Sequence, residues 1–173
     1  MKSNGTKYVV AVFALLAAYF VYVWWLSPTR AVKRQLGELA GALSVPAHEA
    51  DIGRVTRLAQ LRRYFAEDVH LMAGKGDLAL TSRDALLAVL AGMRPPPDGW
   101  NVQFVDVQVT VDSATAARAY MTVEVTGRDA RTGERTLDAR EARLKLENRG
   151  GAWVITRVES PETLETLEKT KRP

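Results

Sequence analysis

Hydrophobic and polar positions divide the chain into one long apolar run and a patterned remainder. Residues 8–26 read YVVAVFALLAAYFVYVWWL, without a charge, a proline or a glycine. As an α-helix such a run reaches about 28 Å, close to a bilayer's hydrocarbon thickness. In lipid the backbone must satisfy its own hydrogen bonds, so a spanning segment of this kind is helical. Trp24 and Trp25 stand at its end, where indole rings favour the headgroup region. The run is longer than the apolar core of a signal peptide, and Ser27-Pro28 follows it instead of an Ala-x-Ala cleavage site. The expectation is an uncleaved, single-pass membrane anchor.

Beyond it the pattern changes to helical spacing. Ser27-Pro28 supplies an N-cap residue and a proline at the first helical position. Val32, Leu36, Leu39 and Leu43 then predict a juxtamembrane helix, ended by Pro46. A second helix is predicted over 48–64, with Ile52, Val55, Leu58, Leu61 and Phe65 as its apolar stripe and Arg54, Arg57, Gln60 and Arg63 on a solvated side. A short strand over 69–72, a turn at 74–77 and an extended piece over 78–80 come next. Thr81-Ser82-Arg83-Asp84 has capping-box spacing and opens a third helix that buries Leu86, Leu87, Val89, Leu90 and Met93. Pro95-Pro96-Pro97-Asp98-Gly99 stops it.

From there the period is two. In 101–112, Val105, Val107, Val109 and Val111 alternate with Asp106, Gln108 and Thr110. In 115–126, Ala117, Ala119, Met121, Val123 and Val125 alternate with Arg118, Tyr120, Thr122, Glu124 and Thr126. The strand over 134–148 changes phase: Leu137 and Ala139 are odd-numbered, while Ala142, Leu144 and Leu146 are even-numbered. A β-bulge near Arg140-Glu141 is expected to restore one apolar face. A last strand covers 152–159. This order predicts an α+β fold: an N-terminal transmembrane helix, then about three helices packed on one face of a curved, bulged, mainly antiparallel sheet. The expected organisation is a tail and anchor over 1–27, a juxtamembrane helix and linker over 28–47, a domain over 48–160, and a polar tail over 161–173.

Charge sharpens this picture. The net charge is +4, but Lys2, Lys7 and Arg30 flank the apolar run, and from residue 31 onward 21 Lys and Arg face 20 Asp and Glu. So balanced a domain lacks the positive footprint of a nucleic-acid binder. With no cysteine in the chain, disulfides, thiolate catalysis and thiolate metal sites are excluded. His48 and His70 are the only histidines, 22 residues apart, and make no metal pattern; no metal or cofactor is expected. The short N-terminus before the anchor favours a bacterial inner membrane location with the domain outside the cytoplasm, although the flanking charges are nearly symmetric. Expected partners are membrane lipid through the anchor, and a protein partner or a second copy.

Asp68 and His70 share one face of the short predicted strand and form the one carboxylate–imidazole pair that could move protons. Trp100, Tyr120 and Trp153 are candidates for a pocket mouth or for core cover, and the polar loop 128–133 is a candidate contact.

Three pieces carry a resemblance: Tyr64-Phe65-Ala66-Glu67-Asp68-Val69, Thr81-Ser82-Arg83-Asp84-Ala85-Leu86-Leu87, and Gly151-Ala152-Trp153-Val154-Ile155-Thr156-Arg157-Val158. In this order and spacing the chain resembles the nuclear transport factor 2-like superfamily in its SnoaL-like branch, over about residues 48–160. The resemblance implies a cone whose sheet wraps a helix around an apolar pocket, here with Tyr64, Phe65, Val107, Val109, Met121, Val123 and Trp153 as candidate lining. It spans isomerases, cyclases, dehydratases and non-catalytic modules, so it does not by itself choose an activity. The isomerase branch places its general base eight residues beyond the phenylalanine of the first piece. That position is Ala73 here, which cannot move a proton. The resulting expectation is a membrane-anchored, non-catalytic binding or assembly module with an apolar pocket. The alternatives are a carrier or sensor of a small apolar ligand, and a lyase or isomerase using Asp68 and His70.

Overall fold

In the computed structural model, residues 12–16, 27–74, 78–93, 95–129 and 132–160 are described. Helices α1 (Pro28–Leu43) and α2 (Asp51–Leu61) precede strands β1 (Phe65–Ala73) and β2 (Leu78–Leu80). Helix α3 (Arg83–Gly92) leads to β3 (Trp100–Val111), β4 (Ala116–Arg128), β5 (Arg135–Arg149) and β6 (Ala152–Ser160). The strands form one sheet in the order β2-β1-β6-β5-β4-β3. It is mixed: β1 runs parallel to β6, and every other neighbouring pair is antiparallel. This is the expected α+β arrangement of helices on a curved sheet.

The helices start where local chemistry starts them. Pro28 occupies the first turn of α1, and the Ser82 hydroxyl accepts from the Ala85 amide at 3.2 Å to cap α3. The segment read as a juxtamembrane connector is packed into the core: Val32, Leu36 and Leu39 of α1 are buried. Its C-terminal end is latched to β3. Val45 and Trp100 exchange backbone hydrogen bonds of 2.8 and 3.0 Å, and the Trp100 indole donates to the Leu43 carbonyl at 2.8 Å. Gly99 makes that approach feasible: its φ is +70°, and a Cβ there would lie 2.1 Å from the Val45 oxygen.

Helix α2 is shorter than the predicted 48–64 and is turned the other way. Ile52 and Val55 of the expected buried stripe are 82% and 68% exposed, and the core receives Leu61 and part of Leu58. Gln60 and Arg63 are exposed as expected, but the other two arginines placed on the solvated side are engaged with protein instead. Arg57 forms a two-pronged ion pair with Glu49, both contacts at 2.9 Å. Arg54 donates to the Ala91 carbonyl and, at 3.3 Å, to that of Met93, closing the C-terminus of α3. In this orientation α2 brings Arg54 and Arg57 to specific acceptors and leaves Ile52 and Val55 facing solvent.

The sheet corrects the predicted bulge. β4 and β5 pair without a break from Ala116↔Glu147 to Arg128↔Arg135, so no bulge lies at Arg140-Glu141. The even-numbered face of β5 therefore stays the inner one, and Leu137 and Ala139 point outward, Leu137 being 62% exposed. This half of β5 is exposed from Arg135 to Arg140, beyond the helix-covered part of the sheet, so its parity is free of the core's demands. The irregularity sits in β3, where the β3–β4 register shifts between Val105 and Gln108 and Asp106 adopts φ 53°. The shift puts Val105 opposite Thr122 on the outer face, against expectation, while Val109 and Val111 lie opposite inward Ala119 and Ala117. Further register shifts occur in the β5–β6 and β1–β6 pairings.

Candidate functional site

The inner face of the sheet and the helices that cover it line a partly open apolar cavity of about 180 Å³. Five of the six strands, all but β2, contribute inward-facing residues. β4 supplies Met121 and Val123, β5 supplies Ala142 and Leu144, and β6 supplies Ile155 and Val158. Phe104 of β3, Phe65 and Leu71 of β1, Leu39 and Leu43 of α1, and Leu86 and Leu90 of α3 complete the wall. All thirteen lining residues are apolar, and no polar or charged residue is buried among the described residues. Such a cavity favours apolar matter, since an unpartnered polar group inside it would lose its hydration uncompensated.

Of the candidate lining residues, Phe65, Met121 and Val123 reach this cavity. Val107 and Val109 pack against the core without lining it. Tyr64 and Trp153 are buried at another place, beside α1, where Gln35 donates to the Trp153 carbonyl. The lining residues outside that candidate set are those of α1, α3, β5 and β6 together with Leu71 and Phe104. Their inward stripes are visible in the sequence, but which stripe faces the void depends on how the helices dock.

Asp68 and His70 lie outside the cavity. His70 stands opposite Arg157 on the outer face of the sheet, and both Asp68 and His70 are exposed. Asp68 is held by Arg149 through contacts of 2.8 and 3.2 Å. That hydrogen-bonded pairing pulls the Asp68 carboxyl below its ordinary pKa, which makes it a poor base near neutral pH. The proton-transfer pair is therefore not assembled at the apolar site. Trp100 belongs to the α1 latch. Tyr120 faces outward, with the Arg143 guanidinium 5.9 Å from its ring centre. A hydrogen bond to the Glu141 carboxylate pushes the Tyr120 phenol above its ordinary pKa, and partial burial adds to the effect.

His48 has φ 53° in the turn after α1, and its amide donates to the Pro97 carbonyl at 3.0 Å. In the polar loop 128–133, the Asp129 carboxylate accepts from the Thr132 amide at 2.9 Å, as in an ordinary hairpin turn. Trp24 and Trp25, with most of 8–26, lie outside the described residues, as does the tail over 161–173. Residues 12–16 are described. They are helical, with Phe13 and Leu15 70% and 71% exposed. Among the described residues no helix is long and apolar enough to cross a membrane, and no group of His, Asp and Glu could hold a metal ion.

The family model of the SnoaL-like domain matches residues 51–159. No curated protein matches the chain. Among solved structures, a putative scytalone dehydratase from Novosphingobium aromaticivorans is similar at TM-score 0.62 and 18% identity, over 78% of this chain and 83% of that one. An NTF2-like protein with a cystatin-like fold, also from Novosphingobium aromaticivorans, is similar at 0.60 and 19% identity, over 84% and 86%. The association domain of C. elegans CaMKII is similar at 0.60 and 13% identity, over 76% and 92%. At these identities the likeness is one of fold. The chain belongs to the SnoaL-like domain family.

Proposed function

We propose that this SnoaL-like chain is a membrane-tethered binding module whose apolar cavity receives a small apolar ligand or the apolar part of a larger one. The observation that carries the reading is the cavity wall: thirteen apolar side chains line about 180 Å³. Engineered cavities of about 150 Å³ with similar walls hold benzene. Acid–base chemistry would need a proton-transferring group at that wall, and Asp68 and His70 stand on the outer face instead.

The tether rests on the nineteen uncharged residues of 8–26 and on the exposed apolar side chains of 12–16, which suit lipid better than water. On this reading the domain faces outside the cytoplasm of a bacterium, where a protein partner or a second copy can meet it.

Two experiments test the two parts separately. The full chain in neutral detergent is incubated with benzene or 1-octanol and followed by native mass spectrometry and thermal melting. The expected outcome is a bound adduct and a raised Tm. Ala142→Leu, which adds carbon atoms to the cavity wall, should weaken binding at least about tenfold while keeping the melting transition. No adduct with either probe, or binding indifferent to Ala142→Leu, removes the cavity reading. For the tether, alkaline carbonate extraction of membranes should leave the chain in the pellet, and its release into the supernatant would refute that part alone.

A further inference from the structure

The face of the sheet opposite the cavity carries a charge pattern that packing does not explain. Cross-strand register places Thr110 beside Arg118, Arg118 beside Lys145, Lys145 beside Arg157, and Arg157 beside His70. Arg118, Lys145 and Arg157 are thus three cations in a row on three adjacent strands. Neighbouring strands are about 4.8 Å apart, so the row spans roughly 10 Å. Like charges directly opposite in a sheet are destabilising, and here that arrangement occurs twice in succession.

The row also has shape and neighbours. It lines a groove of about 440 Å³ on the outer face, with Tyr120 and Arg143 from the next cross-strand row. Among the described residues Glu159 is the one carboxylate in the wall, against four cations, with the Asp112 and Glu141 carboxylates at the edge bonded to Arg118 and Tyr120. The two flanking arginines are held in place from the side. Asp112 grips Arg118 through contacts of 2.7 and 2.9 Å, and Glu159 takes Arg157 at 3.2 Å. Each arginine has five N–H donors, so each keeps donors for a ligand. Lys145, between them, is exposed and forms no salt bridge to any described residue.

We propose that this groove is a binding site for a phosphate-bearing ligand, with Lys145 at its centre and Arg118 and Arg157 as flanking guanidinium donors. Guanidinium groups present paired donors to phosphate oxygens, and the lysine adds a point charge between them. A di-anionic group there converts the repulsion within the row into attraction, which explains why three cations share one line. The Arg143 guanidinium over Tyr120 gives the floor a cation-bearing aromatic surface. A second copy docked through the same face would set this row against its own positive field, so the charge favours an anion over self-association. The proposal is independent of the apolar cavity, which opens on the other face.

The test uses the full chain in neutral detergent and isothermal titration with two probes, inorganic pyrophosphate and short-chain phosphatidic acid. Pyrophosphate should bind in low salt and weaken as salt rises. Lys145→Glu should weaken it at least about tenfold, while Lys145→Arg stays within about threefold. Tighter binding of phosphatidic acid than of pyrophosphate identifies a lipid headgroup as the source of the phosphate, and the reverse identifies a soluble one. Because Lys145→Gln relieves repulsion, it should raise Tm by about 1–3 °C while losing pyrophosphate, a combination that misfolding cannot produce. Absence of binding by both probes, equal binding by wild type and Lys145→Glu, or a dimer in sedimentation that Lys145→Glu dissociates would each overturn the proposal.

Discussion

The two faces of one sheet are built from alternate residues of the same strands, yet they obey different rules. On β4, Ala117, Ala119 and Met121 are buried at 3% exposure or less, while Arg118, Tyr120 and Thr122 point to the outer face. On the inner face, volume and apolarity are constrained by helices on one side and backbone on the other. On the outer face no such partner limits size or charge, and cations stand in register. The inner face therefore holds the stability, and the outer face is free to hold recognition.

The sharpest test of that division is a deletion on one face with a matched deletion on the other. Leu146, 1% exposed, should lose about 3 kcal/mol of stability as Leu146→Ala, whereas Arg143→Ala on the same strand should stay within about 0.5 kcal/mol. Chemical denaturation of the two variants decides the point. Comparable losses would mean that the outer face is packed after all.

A somewhat smaller effect is expected where the inner face depends on its lid. Gly99→Ala sets a Cβ against the Val45 carbonyl, so the latch of α1 must shift. A loss of about 2 kcal/mol is expected, together with weakened binding in the cavity and unchanged binding in the outer groove. Loss of both binding activities at equal stability would show that the two faces are coupled.

Third comes the ion pair beside α2. The Arg57 hydrogen bond lowers the Glu49 carboxyl pKa below its ordinary value, against a smaller opposing effect of burial. A carboxyl depressed on folding contributes stability that is complete above its unfolded pKa and is lost as pH falls through the folded one. Glu49→Gln should therefore cost about 1–2 kcal/mol at neutral pH. The gap to wild type should close below about pH 4.5. A gap independent of pH would assign the loss to packing.

The smallest effect concerns the bulge that sends Val105 outward. Asp106 holds φ 53°, which glycine adopts without strain, so Asp106→Gly should gain up to about 0.5–1 kcal/mol. Asp106→Val should be destabilised by more than that, and equal melting temperatures for the two variants would contradict a left-handed Asp106.

Much of the fold is legible along the chain because its determinants are local. Alternation in 101–126 separates buried Ala117 and Ala119 from exposed Arg118. Pro28 and Ser82 mark helix starts, and Gly150-Gly151 marks the turn before β6. The phase change in β5 is legible too, but its meaning is not. Leu137 looks like part of a core face, and only the unbroken pairing with β4 and the limited reach of the helices show that it is not. Likewise Arg54 and Arg57 look like a solvated stripe until Ala91, Met93 and Glu49 are placed near them.

The sequence by itself therefore determines the apolar run at 8–26, the α+β order of elements, the apolar parity of the central strands and the near-neutral charge of the domain beyond the run. These depend on neighbours a few positions apart. Tertiary structure decides which stripes line the cavity, where the sheet bulges, and that Arg118, Lys145 and Arg157 form one row. Those three cations come from separate stretches of sequence, and only strand register, a property of non-local pairing, brings them into line.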